Sequence, residues 1–119
     1  MAAPNIVNVA TIKGNTAVLA VTTSPANIVS NIASSGKVYK INTLIVANVD
    51  GTNAADITGS LYRDGTEWNF SSTISVPADS AIVLIDKSSA LYLEEGDAIR
   101  LTASADDDLE AICSYEEIS

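Results

Sequence analysis

Histidine is absent from this 119-residue chain, and cysteine and aromatic residues are scarce. Without histidine there is no imidazole to act as a general base, to activate a serine or to bind a metal. The single cysteine, Cys113, can form neither an intrachain disulfide nor a thiolate zinc cluster. No glycine-rich phosphate loop is present. The sequence therefore predicts a protein that is not an enzyme and that carries no cofactor.

Positive charge is also scarce, since six Lys and Arg stand against 15 Asp and Glu and give a net charge of −9. Such a surface repels nucleic-acid phosphates and anionic lipids, so neither nucleic acid nor membrane is expected as a partner. The N-terminal 49 residues contain no acid and three lysines, Lys13, Lys37 and Lys40. This split predicts that the N-terminal part docks on an acidic partner while the acidic remainder faces water. The alternative is that the two halves interleave in one sandwich.

The N-terminus lacks a basic region followed by an apolar core, so no signal peptide is expected. No apolar run approaches the roughly 18 residues that a membrane-spanning helix needs. A lone cysteine without a signal is typical of synthesis in a reducing cytoplasm. Residues 1–5 have little to bury, and we expect them to be a flexible arm that orders on contact with a partner. That arm includes Ala2, Ala3, Pro4 and Asn5.

Aliphatic residues recur with period two or in short runs, which predicts β-strands. The predicted strands cover residues 6–12, 17–22, 37–49, 56–63, 66–70, 72–76, 81–85, 90–93, 98–104 and 109–116, and residues 27–33 fit either a strand or a helical turn. Gly14-Asn15 is predicted as a turn, and Asp64-Gly65 as a two-residue hairpin. The runs 44–47 and 81–85 are predicted to be buried. With its regular turns, the chain is expected to form one all-β domain over residues 1–119, an antiparallel sandwich or jelly roll of about eight strands.

Acidic turns are the only clusters with the oxygen ligands that Ca²⁺ prefers. Asp50, Asp56 and Asp97 are the weak metal candidates that they offer. None of these turns has EF-hand spacing, and each supplies only two or three carboxylates. We therefore predict no metal site and interpret the acids as solvated turn residues that protect sheet edges.

Two aromatic residues, Trp68 and Phe70, alternate after the hairpin and should share a face. The prediction is that at least one lies in the core, and the alternative is an exposed partner contact. A carbohydrate-binding module would use Trp68 with Tyr62 and a Ca²⁺ ion in an acidic loop. Cys113 is predicted to be a buried, unreactive thiol on the apolar face of the last strand.

Three stretches carry a family resemblance: KVYKINTLIVAN at 37–48, ISVPADS at 74–80, and LYLEEGD at 91–97, which leads into LTAS at 101–104 and SYEE at 114–117. Their order resembles that of small virion structural proteins of tailed phages, cyanophages in particular, over roughly residues 5–118.

The resemblance brings no catalytic residues with it. It implies a particle component, foremost a capsid decoration (cement) protein that binds the major capsid protein on the outside of the head. It also implies a homo-oligomer, specifically a trimer; a neck, tail or fibre component is the alternative. Together with the charge split, it predicts that the partner surface includes Ala2, Ala3, Pro4, Asn5, Lys13, Lys37 and Lys40.

Overall fold

A computed structural model describes residues 10–119, which form nine β-strands and one short 3₁₀ turn. The strands are β1 (Ile12–Val21), β2 (Ala26–Ser30), β3 (Val38–Asn48), β4 (Ala55–Arg63), β5 (Thr66–Val76), β6 (Ala81–Ile85), β7 (Leu91–Leu93), β8 (Ala98–Ala103) and β9 (Leu109–Ile118), and the 3₁₀ turn is Lys87–Ser89. Within residues 10–119 no helix is long and apolar enough to cross a bilayer. The predicted arm at 1–5, with Ala2, Ala3, Pro4 and Asn5, and most of the predicted strand 6–12 lie outside the described residues.

The strands form two antiparallel sheets packed as a sandwich. Sheet A has the order β1-β9-β3-β6, with β7 also paired to β3, and sheet B has the order β2-β8-β4-β5. If the three-residue β7 is set aside, the other eight strands form two four-stranded sheets in the pattern of a jelly roll. The predicted all-β, single-domain sandwich is therefore confirmed.

The core lies between the two sheets and is almost entirely aliphatic. Ile41, Leu44 and Val46 of β3 meet Ile57 of β4 and Leu101 of β8, and all five are fully buried. Alternate residues of β9 join them, including Cys113, which confirms its predicted burial. That burial raises the pKa of the Cys113 thiol to about 12, so the thiol stays protonated and unreactive at neutral pH.

The predicted turn at Gly14-Asn15 is wrong, because β1 runs through both residues. Its ten residues pair with β9 in an unbroken register, from Ile12 opposite Ile118 to Val21 opposite Leu109. The backbone hydrogen bonds of that ladder outweigh a local turn preference. The ambiguous segment at 27–33 is resolved by β2, a strand that ends at Ser30.

The runs 44–47 and 81–85 are buried on one face only, which corrects the prediction that they are buried throughout. Leu44 and Val46 are fully buried, whereas Ile45 is 36 % and Val83 is 57 % exposed. The reason is that sheet B covers just one face of sheet A. The opposite face is open and still carries large aliphatic side chains.

The β4–β5 hairpin has the turn that Asp64-Gly65 predicts, since both residues have left-handed backbone, with φ of 52° and 78°. Beyond the turn, β5 departs twice from regular pairing. Ser60 pairs with Asn69 and Gly59 with Ser71, so Phe70 is an extra, bulged residue. The second register shift lies near Thr73, whose φ is 46°.

Candidate interaction surfaces

A buried polar cluster fixes the loops at the hairpin end of the sandwich. Asp97 is 2 % exposed, and Arg63 donates to both of its carboxylate oxygens, Nε to Oδ1 at 2.7 Å and an Nη atom to Oδ2 at 2.6 Å. The backbone N–H of Glu94 also donates to Asp97, at 2.8 Å. Beside this group, buried Asn31 donates to the carbonyls of Lys37 and Leu93. Asp97 is therefore a structural anion that Arg63 neutralises.

The opposite end is organised by a second buried asparagine, Asn48. Its amide donates to the carbonyls of Asn53 and Val76, both at 2.9 Å, and its side-chain oxygen accepts from the backbone N–H of Asp50. The Asp50 carboxylate in turn accepts from the N–H groups of Thr52 and Asn53. These backbone donors lower the pKa of Asp50.

The three weak Ca²⁺ candidates do not form a site in this structure. Asp97 is engaged by Arg63, and Asp50 accepts hydrogen bonds from its own turn. Asp56 contributes backbone groups to a hydrogen-bonded pair with Ser104. Among residues 10–119, no three acidic, cysteine or histidine side chains are grouped so that they could hold a metal ion.

Asp108 lies in an acidic environment, close to Asp50 and Asp107. Desolvation raises its pKa, and the negative charges of Asp50 and Asp107 raise it further. Because the folded pKa is above the unfolded value, the stability that Asp108 contributes is present at low pH and lost as the pH rises through the folded pKa. We expect Asp108→Asn to raise the melting temperature at pH 7, and the gain to disappear below about pH 4, where aspartates protonate.

The melting temperature is measured by circular dichroism at a series of pH values between acid and neutral. Glu110→Gln is the matched control, since it removes the same charge from the neighbouring strand β9. Equal gains from both variants would show that only net charge matters and would contradict a local effect at Asp108.

The three lysines of the acid-free segment do not form a separate basic face. Lys37 makes an ion pair with Glu117, and register places Lys13 opposite Glu117 and Lys40 opposite Glu116. This follows from topology, because acidic β9 lies between β1 and β3. The interleaved alternative is therefore correct. A partner-binding role for Lys13, Lys37 and Lys40 stays a prediction, without the electrostatic separation that suggested it.

The aromatic side chains of β5 line an open cleft rather than the core. Trp68 is 62 % exposed, and Phe70 is also exposed, so the prediction that at least one lies in the core is wrong. Both border a cleft of about 420 Å³ between β5 and the β6–β7 region, together with Leu61, Leu84, Ile85, Ser89 and Leu91.

The structure does not bring together the aromatic pair of the carbohydrate-binding alternative. Trp68 lies opposite Leu61 in the register and shares its face, whereas Tyr62, the next residue along β4, points to the other face. The guanidinium carbon of Arg100 also covers the Tyr62 ring, 3.6 Å from its centre. The two rings therefore cannot form one sugar-stacking platform.

The outer face of sheet A carries a row of exposed aliphatic side chains across four strands. Val18, Ile112, Ile45 and Val83 lie side by side in register on β1, β9, β3 and β6, and we call them the aliphatic row. Three of them are strongly exposed, Val18 at 73 %, Val83 at 57 % and Ile112 at 48 %. A shallow groove of about 330 Å³ follows this face.

The rows on either side of the aliphatic row are small and almost uncharged. One contains Thr16, Ser114 and Thr43, and the other contains Ala20, Glu110, Ala47 and Ala81. Glu110 is the single charged residue in these three rows. A contiguous apolar patch of this kind on a protein surface is a candidate interaction site.

Sequence reasoning missed the aliphatic row, although its signal is in the sequence. The unbroken runs LIVA at 44–47 and AIVLI at 81–85 place aliphatic residues on both faces of β3 and β6. Such a run fits either burial on both sides or one buried and one exposed apolar face, and pattern alone does not separate them.

Two solved structures show the same fold class. The chain is similar to one from the disulfide-linked pili that form Bacillus endospore appendages, with a TM-score of 0.53 and 16 % identity over 92 % of this chain and 88 % of that one. It is also similar to one from the acidic stable capsid of Helicobacter pylori bacteriophage KHP30, with a TM-score of 0.51 and 6 % identity over 94 % and 90 %.

At such low sequence identities, the likeness to these two structures establishes the fold of the chain and nothing further. No protein-family model matches the chain. No curated protein matches it by sequence.

Proposed function

We propose that this protein is a non-enzymatic structural subunit of a phage particle, and specifically a decoration protein that binds the outside of the head lattice. The observation that carries the proposal is the aliphatic row, an exposed apolar stripe across all four main strands of sheet A. The major capsid protein binds the aliphatic row, and sheet B faces solvent.

Charge supports this choice of docking face. A chain with a net charge of −9 repels acidic neighbours over most of its surface, and these three rows, with Glu110 as their single charge, form a patch where close approach costs little. Apolar contact supplies affinity there, because burying aliphatic area is worth about 25 cal/mol per Å². The scarcity of long charged side chains lowers the entropy lost when the surface is immobilised.

The comparisons and the sequence resemblance support the same class. A jelly roll serves in capsids and also in lectins, so the fold alone leaves both open. The capsid neighbour and the resemblance to tailed-phage virion proteins favour the particle component. Synthesis in the host cytoplasm and contact through residues 1–5 belong to this proposal as predictions. The trimer that the family resemblance implies is the alternative to a dimer of this chain, and the mass in solution distinguishes the two.

The test is binding to purified heads that lack the protein. We expect the double variant Ile45→Glu/Val83→Glu to bind at least about tenfold more weakly, which corresponds to about 1.4 kcal/mol, because two carboxylates would be buried against the lattice. Ile32→Glu is the control, since Ile32 is also an exposed aliphatic residue but lies outside sheet A. Head-bound copies are counted by quantitative gel electrophoresis.

Equal loss from the control, or unchanged binding of the double variant, would contradict docking through the aliphatic row. A neck, tail or fibre role is separated by stoichiometry in purified virions, because a decoration protein is present in numbers comparable with the major capsid protein. Sugar binding on a glycan array that is lost in Trp68→Ala would instead support the carbohydrate-binding class.

A further inference from the structure

Strand β1 forms one edge of sheet A, and its outer side is unpaired among the described residues. It pairs with β9 on one side over all ten residues, without a register shift. Lys13 is its single charged residue, and it contains no proline. A long, regular edge of this kind presents free N–H and C=O groups to any other strand.

The other sheet edges are protected in ways that β1 is not. β2 has five residues and a register shift, and β5 has two register shifts and the left-handed residue Thr73. The far side of sheet A is divided between β6 and β7 by the 3₁₀ turn Lys87–Ser89. Short length, bulges and interruptions are the usual defences against unwanted strand pairing.

We propose that the free edge of β1 pairs with β1 of a second copy of this chain, antiparallel across a two-fold axis, so that the two A sheets form one continuous sheet. A ten-residue antiparallel pair is about 34 Å long and supplies about one backbone hydrogen bond per residue. An isologous two-fold contact needs no second surface, because the same edge serves on both copies.

The two-fold symmetry itself sets the antiparallel direction, because two copies of one edge strand related by such an axis run in opposite directions. Lys13, the single charged residue of β1, lies near the start of the strand. Antiparallel pairing places the two Lys13 side chains at opposite ends of the joined strands, whereas parallel pairing in register would set Lys13 beside Lys13.

This contact is separate from binding to the head lattice. It uses the backbone edge of β1, and the outward side chains of the aliphatic row stay exposed in both copies. The joined sheets would double the length of that row. The proposal also predicts a dimer in place of the trimer that the family resemblance implies.

Two double variants with matched chemistry distinguish the edge from the face. Thr16→Lys/Ala20→Lys places two lysines on the β1 edge strand. Thr43→Lys/Ala47→Lys places the same substitutions in the same two rows and on the same face, but on the inner strand β3. By sedimentation velocity we expect the unaltered chain and the β3 variant to be dimers, and the β1 variant to associate at least about tenfold more weakly.

A cysteine scan tests the axis directly. In an antiparallel pair related by a two-fold axis, one residue of β1 lies directly opposite the same residue of the second copy. A single cysteine is therefore placed in turn at Thr16, Ala17 and Val18, and one of these three variants should form an intermolecular disulfide under mild oxidation. Cys113 can stay in place because it is fully buried. Ile45→Cys, on inner strand β3, should not cross-link. Circular dichroism of each variant verifies the fold.

The proposal is overturned if the β3 variant dissociates as much as the β1 variant, since the two copies would then be associated through the faces of their A sheets and not through the β1 edges. A chain that stays monomeric at the highest attainable concentration, or that has a trimer mass without any β1 cross-link, would also overturn it. Association that begins only after residues 1–9 are removed would also overturn the proposal, because it would show that those residues cover the outer edge of β1.

Discussion

Replacing Leu44 with alanine should lower the free energy of unfolding by about 3 kcal/mol, within the range for a buried leucine whose cavity is not refilled. Leu44 is fully buried at the centre of β3, the strand that pairs with β9, β6 and β7. The substitution forfeits the burial of the leucine's apolar area and also the dispersion attraction between that side chain and the atoms that surround it. Urea denaturation measures the destabilisation as a lower transition midpoint at unchanged slope.

The adjacent residue provides the control. Ile45→Ala removes a similar side chain from the open face of the same strand and should cost less than about 1 kcal/mol, the size of a strand-propensity effect. If the two variants cost the same, β3 would be buried on both faces and the exposed aliphatic row would not exist. The pair of measurements therefore tests both the core and the candidate docking surface.

Asp97→Ala should cost about 2–3 kcal/mol, below the roughly 3–5 kcal/mol of a fully buried broken ion pair, because Arg63 is partly exposed and can rehydrate. The variant removes the acceptor for Arg63 Nε and for the backbone N–H of Glu94. Those donors anchor the turn between β7 and β8 to the end of β4. The same denaturation experiment measures this loss.

Glu94→Ala is the matched control, because Glu94 contacts the same guanidinium at 2.7 Å but is 68 % exposed. A surface ion pair of that kind is worth about 0–1 kcal/mol. Adding Arg63→Ala to Asp97→Ala should change stability little further, since both variants break one interaction. Additive losses from the two single variants would show that Asp97 and Arg63 act independently.

Much of the fold could be predicted because its signals are local. Period-two aliphatic patterns mark β3, β4, β8 and β9, and Asp64-Gly65 marks a hairpin turn whose left-handed backbone only a few residue types tolerate. The same local logic failed at Gly14-Asn15. There the deciding interaction is a ladder to β9, about a hundred residues away in the chain, which no window of sequence contains.

The candidate surfaces were not predictable for a related reason. The acid-free N-terminal segment and the acidic C-terminal segment look like two poles when read along the chain, but register sets Lys13 and Lys40 against Glu117 and Glu116. Likewise, Ile45 and Val83 gain meaning as a surface only once Ile112 and Val18 lie beside them. Charge and apolar patches are properties of strand order, and strand order is determined only by the fold as a whole.

The position of β9 makes the completion of sheet A depend on a strand that is translated after both of its neighbours. β9 follows the other eight strands along the described chain, yet it lies between β1 and β3 and holds both in sheet A. A chain interrupted before Leu109 would leave those two strands without their shared partner, and such a fragment is prone to aggregation and proteolysis. Because Ile112 is also part of the aliphatic row, a particle that recognises this face would admit only chains translated through β9.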